Sequence, residues 1–402
     1  MSAPYTLIGP LTRGNLPEVI ALALMPLILL LFRRLILLRQ TRYFAASILA
    51  YAALCLTHNI SSLLFTPLLL VYVAIVAWVK ARDAIDPLVA YGVSPIANRR
   101  LTMRNTQHAI RNTLRAIAPS LLALALTLGL TAFFWLPALT EQDQVQLYLT
   151  HAARGNDYHF NFISLAELLG GPGSADPKLL NPPLRIFFGW PQLVLAALGV
   201  LAYRRSIPDG LKARVQAGVS GASNRKIGPE RSRRDAVAEP TQSGREQRVT
   251  IIAAAIAVIA LTFMALPASL PLWDNLPLIR FVQFPWRFVG RAMLPAALLA
   301  AAAVISPQRT QRTQSIERND SALFASFAVK HVLFGAAIFA ALLFTAPLSY
   351  PRTCSTPHEL DINAVFAYER ASGHIGVDPL GAYLPRTVIE RPAGSPLEAQ
   401  YA

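Results

Sequence analysis

A few residues in this chain have the type and spacing to do chemistry. Arg13 precedes Glu18 by five positions, His58 and Asn59 are adjacent, and Arg280 and Arg287 bracket Phe281–Trp286, with Arg291 following. A carboxylate can take the proton of a bound hydroxyl. A guanidinium holds phosphate through paired, charge-assisted hydrogen bonds. Further acid–base candidates crowd residues 139–186, where Glu141, Asp143, Asp157 and Glu167 accompany His151 and His159.

Each group also has an ordinary structural reading. Glu18 suits the first turn of a helix, favoured by its dipole and paired with Arg13. His58 and Asn59 suit a turn, with Asn59 capping the helix that follows. Trp286 suits the membrane headgroup level, with Arg280 and Arg287 snorkelling beside it. The acidic residues of 139–186 suit a hydrophilic loop, and their spacing is not that of a metal site. No phosphate-cradling glycine loop or nucleophile elbow is present.

The elements that must position these residues are hydrophobic. The 402 residues are 54% hydrophobic and 15% charged, and the mean hydropathy is +0.41. Soluble domains carry about a quarter charged residues. Apolar runs near 20 residues, enough to cross a ~30 Å hydrocarbon core, recur along the chain. They predict an all-α integral membrane protein of about eight transmembrane helices with structured extracytoplasmic loops. The first span is 17–32. The second and third share 43–79, which as one helix would reach ~55 Å and so must fold into a hairpin near Thr57-His58-Asn59. The rest are 114–138, 187–203, 249–267, 288–306 and 329–348. The transmembrane domain is thus 1–348, with outer loops 139–186 and 268–287, followed by an extracytoplasmic tail, 349–402. Met1–Asn15 reads as a polar lead-in without the pattern of a cleavable signal.

Charge orients the helices. With 33–42, 80–115, 204–248 and 307–330 in the cytoplasm, that face holds more than two thirds of the 37 Lys and Arg. This is the positive-inside asymmetry. It accounts for the net charge of +15 without nucleic acid and puts both termini outside. Segments 204–248 and 307–322 are rich in polar residues and poor in large apolar ones, so they are expected to be disordered. Cys55 and Cys354 form neither a disulfide framework nor a metal cluster.

Pro4-Tyr5, Arg13-Gly14, Glu18, His58-Asn59 and Gln283-Phe284-Pro285-Trp286-Arg287 together carry a resemblance, with Tyr368-Glu369, Gly373-His374-Ile375-Gly376 and Gly381-Ala382-Tyr383-Leu384-Pro385 in the tail. The chain resembles bacterial multi-spanning proteins described as having a 6-pyruvoyl-tetrahydropterin synthase-related membrane domain. These are similar in layout to GT-C glycosyltransferases, which transfer sugars from polyprenyl-phosphate carriers at the outer face of the membrane. The resemblance implies a bacterial plasma-membrane location, a role in cell-envelope glycan assembly and a polyprenyl-phosphate sugar as ligand, with no cofactor or metal. A sugar transferase needs a carboxylate for the acceptor hydroxyl and cations for the donor phosphate, and the candidates by residue type are Glu18 and Asp157 as catalytic carboxylates, with Arg13, His58, Asn59, Arg280, Trp286 and Arg287 as substrate-binding residues. The resemblance also implies one more helix and a large outer loop ahead of the Pro-Tyr segment. In GT-C enzymes that loop carries the catalytic acid, so a chain opening at Met1 is expected to be truncated or to act without it. Pterin chemistry is not expected, because no His-x-His pair exists among the seven histidines. The rival expectation is a non-catalytic scaffold or a carrier of lipid-linked substrate. A carrier calls for polar groups near the midplane of several helices, and the spans are nearly free of them.

Overall fold

The computed structural model describes residues 4–83, 98–149, 156–172, 185–201, 244–277, 279–304, 332, 335–349, 361–372, 381–390 and 394. Among them the fold is helical, and the single β-contact is an isolated bridge between Val145 and Pro385. The helices used below are α1 Pro4–Thr12, α2 Leu16–Leu38, α3 Thr41–Thr57, α4 Asn59–Asp83, α5 Asn98–Leu130, α6 Ala132–Thr140, α7 Trp190–Leu201, α8 Gly244–Met264, α9 Arg287–Val304, α10 Gly335–Leu348 and α11 Ile362–Ser372.

Four helical stretches are long and apolar enough to cross a membrane: Leu16–Leu38, Asn59–Asp83, Ile110–Leu130 and Arg245–Met264. Large apolar side chains such as Leu121, Leu122, Leu126, Ile256 and Ile259 face outward from them. That is the surface a helix shows to lipid, where its backbone is satisfied internally and its exterior has no need of polar groups. Pro26, Pro67, Pro119 and Pro295 sit inside helices, as membrane helices tolerate when neighbours re-satisfy the freed carbonyls.

Side-chain contacts give the helix directions. The Lys80 ammonium at the end of α4 donates to the carbonyls of Ile36 and Leu37 at 2.6 and 3.1 Å, the last turn of α2. So α2 and α4 run in parallel and α3 returns between them. The chain turns on the single residue His58, and Tyr51 and Thr66 meet across that turn at 2.5 Å. Arg39, just ahead of α3, donates to the Arg115 carbonyl at 3.4 Å, and Thr127 donates to the Ile48 carbonyl at 3.3 Å, so α5 runs parallel to α3. Arg33 meets Glu246 at one end of the molecule, and Arg291 meets Glu18 at the other. Hence α8 starts where α2 ends, and α9 starts where α2 starts. We call these the Arg33 end and the Glu18 end.

The core divides in two. One cluster joins α2, α3, α4 and α5 through Met25, Ile28, Phe32, Tyr51, Phe65, Leu69 and Leu124. The other gathers α1, α7, α8, α9, the stretches 163–172 and 185–188, and Leu64 of α4 around Tyr5, Phe187, Phe188, Trp273, Val289 and Leu299. Leu22 and Leu68 pack against both, and so mark where the two clusters meet.

Several boundaries differ from the sequence expectation. The polar lead-in contains a helix, α1, because Tyr5 and Ile8 are buried in the second cluster. Nine residues alone would not hold a helix. α2 continues past residue 32 to Leu38, since Arg33 finds a carboxylate partner. The same pair draws α8 back to Gly244, inside the segment expected to be disordered. The rest of that segment, like 307–322, lies outside the described residues. The expected 114–138 span is α5, which begins earlier at Asn98 and breaks at Thr131 before α6. In the tail, the Arg386 amide donates to the Gln144 carbonyl at 2.9 Å, so residues 381–390 dock on the segment after α6.

Candidate functional site: a buried guanidinium–carboxylate knot

At the Glu18 end, the links before α2 and α9 bring charges together. α1 closes on Gly14, whose φ of +64° is a left-handed conformation that glycine adopts without strain. The amides of Arg13 and Asn15 donate back to the carbonyls of Ile8 and Gly9. Asn15 then caps α2: its Oδ1 accepts from the Glu18 amide at 3.2 Å, while its Nδ2 donates to Glu18 Oε2 at 3.1 Å. This is a reciprocal cap of the capping-box kind, and it points the Glu18 side chain into the protein.

Glu18 is 1% exposed and receives four donors. Its Oε1 accepts from Tyr5 Oη at 2.8 Å and from Arg291 Nη1 at 2.5 Å. Its Oε2 accepts from Arg13 Nη1 at 2.7 Å and from Asn15. A carboxylate offers about four lone-pair sites, so this one is saturated. Arg291 is fully buried and also donates to Ser61 Oγ, and to the Arg287 carbonyl at 3.0 Å. Burial and the neighbouring Glu18 carboxylate push the Tyr5 phenol above its ordinary pKa.

Arg287 closes the loop ahead of α9. Its Nη1 donates to the Val282 carbonyl at 2.8 Å, and its guanidinium lies 4.8 Å from the Phe284 ring. Within that loop Gln283 has φ of +62°, an unusual conformation for a residue with a side chain. Trp286 is buried within the protein. It packs against Tyr5 at 6.3 Å and Phe284 at 5.1 Å, with the Arg13 guanidinium 4.4 Å over its ring. Gly290 makes room for Tyr5: a Cβ there would lie 2.4 Å from the phenol ring.

Two guanidiniums, those of Arg13 and Arg291, thus share one carboxylate, and a third, that of Arg287, lies close by without bonding to it. The Nε atoms of Arg287 and Arg291 are buried and have no hydrogen-bond partner. A buried charge without full compensation is expensive, so the knot is electrostatically suited to an anion.

His58 borders it. His58 Nδ1 accepts from the Ser61 amide at 3.0 Å, so the imidazole caps α4, in place of the expected Asn59. Asn59 is exposed, and its Oδ1 accepts from the neighbouring Ile60 amide at 2.8 Å. It already belongs to the helix, so it cannot cap its start. Burial, with Arg291, Arg287 and Arg13 adding to it against the pull of Glu18, pushes the His58 pKa down from its ordinary 6.5 to about 4. A lowered pKa means that the fold prefers the neutral ring. Its contribution to stability is complete above pH 6.5 and is lost as pH falls from 6.5 towards 4. Thermal unfolding in detergent across that window should therefore show a smaller acid loss in His58→Asn than in the parent. Identical losses would contradict the assignment.

Asp157 lies in a separate, more open patch. It caps the short turn Tyr158–Phe160 by accepting from the His159 amide at 3.0 Å, and its Oδ1 meets His159 Nδ1 at 2.6 Å. Asp274 receives Tyr158 Oη at 2.9 Å and lies 3.5 Å from His159 Nε2. Tyr158 stacks on buried Trp273, whose ring meets Phe288, next to Arg287, edge-on at 5.7 Å. One aromatic layer therefore separates the acid–base patch from the knot. Glu167 accepts from the Ile186 amide at 3.2 Å and so has a local structural role. Arg280 lies in the turn Ile279–Val282, and its side chain, like His151, is outside the described residues.

The fold thus unites Arg13, Glu18, His58, Trp286 and Arg287, and it sets Asn59 and Asp157 apart. Sequence reasoning gave no role to Tyr5, Asn15, Ser61, Asp274 or the Arg33–Glu246 pair. Of these, Arg33 could have been flagged as ionisable beside apolar runs, whereas Glu246 lies in a polar stretch that gives no such signal. Nothing in the sequence distinguishes Ser61 from other serines.

Comparison of the chain with protein-family models, with curated proteins and with solved structures finds no match in any of the three.

Proposed function

We propose that this chain is a bacterial plasma-membrane protein of about eight spans, with both termini outside. In this reading the Glu18 end handles the phosphate of a polyprenyl-phosphate sugar, in the manner of GT-C glycosyltransferases. The observation that carries the reading is the surplus of guanidinium over carboxylate around Glu18, with two buried Nε donors unsatisfied. A phosphate would neutralise that surplus through charge-assisted bonds. The donor's lipid tail lies in the bilayer, so its phosphate must be met at a membrane-level site.

Transfer needs a base. In this scheme Glu18, the carboxylate beside the arginines, gives up one of its four donors and takes the proton, because Asp157 with His159 stands across the Trp273–Phe288 layer. The acceptor oxygen, as its proton passes to Glu18, forms a bond to the anomeric carbon. The bond from that carbon to the phosphate oxygen breaks, and the phosphate leaves on Arg13 and Arg287. The saturation of Glu18 favours a second reading, in which the chain binds lipid-linked phosphate without transferring from it.

Both readings expect binding of polyprenyl phosphate to the protein in nanodiscs. Arg287→Ala and Arg13→Ala should each weaken it by roughly tenfold or more, because a hydrogen bond to a charged group contributes ~1.5–3 kcal/mol. Label transfer from a polyprenyl-phosphate sugar to an added acceptor supports the enzyme. Tight binding with no transfer supports the carrier. Unchanged binding in both folded variants overturns the site.

A further inference from the structure

The two core clusters meet along a seam where α2 and α4 face α8 and α9. Each end of that seam is tied by a buried ion pair between the two bundles. At the Glu18 end, Arg291 of α9 reaches Glu18 of α2 and Ser61 of α4. At the Arg33 end, Arg33 of α2 grips Glu246 of α8 with two bonds, Nε to Oε1 at 2.6 Å and Nη2 to Oε2 at 3.2 Å. Beside it, Arg245 of α8 meets Asp83 of α4 at 3.7 Å. Glu18 and Arg33 stand about 22 Å apart along α2, at ~1.5 Å per residue. Leu22 and Leu68 lie on the seam between them, nearer to Glu18.

A seam that had only to hold the bundles together would do so at lower cost with apolar side chains, since buried pairs seldom beat well-packed hydrophobic ones. Ion pairs at both ends of an otherwise apolar contact are suited to being broken and remade. Each charge can be taken up by water when the bundles part, and the apolar middle has no directional bonds to break. The two ends are unequal. At the Glu18 end the carboxylate holds four donors and the pair is 0–1% exposed. At the Arg33 end the side chains are 14% and 6% exposed, and the flanking Arg245–Asp83 pair is more than a third exposed. Water reaches the Arg33 end first.

We propose that the seam is a working joint: the bundles part at the Arg33 end, where Arg33–Glu246 is the latch, and pivot on the Glu18 knot, which stays closed. Rigid-body rocking of one bundle against another is an established way for helical membrane proteins to move. The inference does not depend on which anion the knot binds.

Spin labels test it in the full chain, with Cys55→Ala and Cys354→Ser in the background. One pair is placed at Arg34 and Arg248 for the Arg33 end, another at Leu16 and Leu276 for the Glu18 end. In Glu246→Gln the Arg34–Arg248 distance should gain a second, longer population, while the Leu16–Leu276 distance keeps the parent distribution. Arg33→Lys, which retains charge but loses the two-pronged grip, should do the same more weakly. The double reversal Arg33→Glu with Glu246→Arg should restore the short population. Three results would overturn the joint: an unchanged Arg34–Arg248 distance in folded Glu246→Gln, both distances broadening together, or failure of both single variants to fold.

Discussion

Glu18→Ala should destabilise the protein by about 3–5 kcal/mol, the usual cost of removing one partner from a buried ion pair. The substitution strands the buried Arg291 guanidinium and unpairs the Tyr5 hydroxyl, which no longer has its acceptor at 2.8 Å. Arg13, partly exposed, retreats towards water more easily. The loss should therefore fall mainly on the α2–α9 contact, and Arg291 explains most of it. Glu18→Gln keeps an acceptor while removing the charge, so it should lose less than alanine does. The double variant Glu18→Leu with Arg291→Met removes both charges together and should recover a large part of the alanine loss, because charge-free packing of similar volume is often neutral. Unfolding in detergent or nanodiscs measures each. A loss under about 1 kcal/mol for Glu18→Ala would mean that the guanidiniums are compensated by something other than Glu18, and the knot described above would not hold.

Gly199→Ala should be the second large effect, and it tests backbone proximity instead of charge. A Cβ at Gly199 of α7 would lie 1.8 Å from the Leu299 carbonyl oxygen of α9. The obstacle is backbone, so no rotamer change relieves it, and the two helices must separate. Overpacking of this kind costs about 1–3 kcal/mol, occasionally more, and small residues at such crossings are what let membrane helices approach closely. Gly129→Ala is the matched control. It lies on α5 with nothing within 4 Å of the added atom, so better helix propensity should raise stability by up to about 1 kcal/mol. If Gly199→Ala behaves like Gly129→Ala, α7 does not pack against α9 as described.

The contrast between these two glycines shows where sequence reading ends. Both occur in apolar helical stretches, and nothing in their neighbours separates them. One faces a carbonyl and the other faces nothing, because facing is set by which helix comes alongside. Arg291 is similar. Its position in an apolar run marked it as unusual, but its partners are Glu18 and Ser61, which stand 273 and 230 positions away. Trp286 was legible as an aromatic near a membrane boundary, yet it is buried under Arg13 because α1 folds back over it.

What the sequence determined by itself is the local and compositional part. Apolar runs of spanning length make helices that carry their own backbone hydrogen bonds, so a helical fold with long apolar helices follows from hydropathy, and four such helices stand among the described residues. The break at His58 follows from the length of one run. The tertiary structure alone decided that Glu18 is a saturated ion-pair partner, that His58 rather than Asn59 caps α4, and that Asp157 belongs to a patch apart from the arginines. The physical reason is range. A helix is stabilised by bonds between near neighbours in sequence, whereas a buried charge is stabilised by whichever opposite charge the packed bundle brings to it, and that is a property of the whole fold.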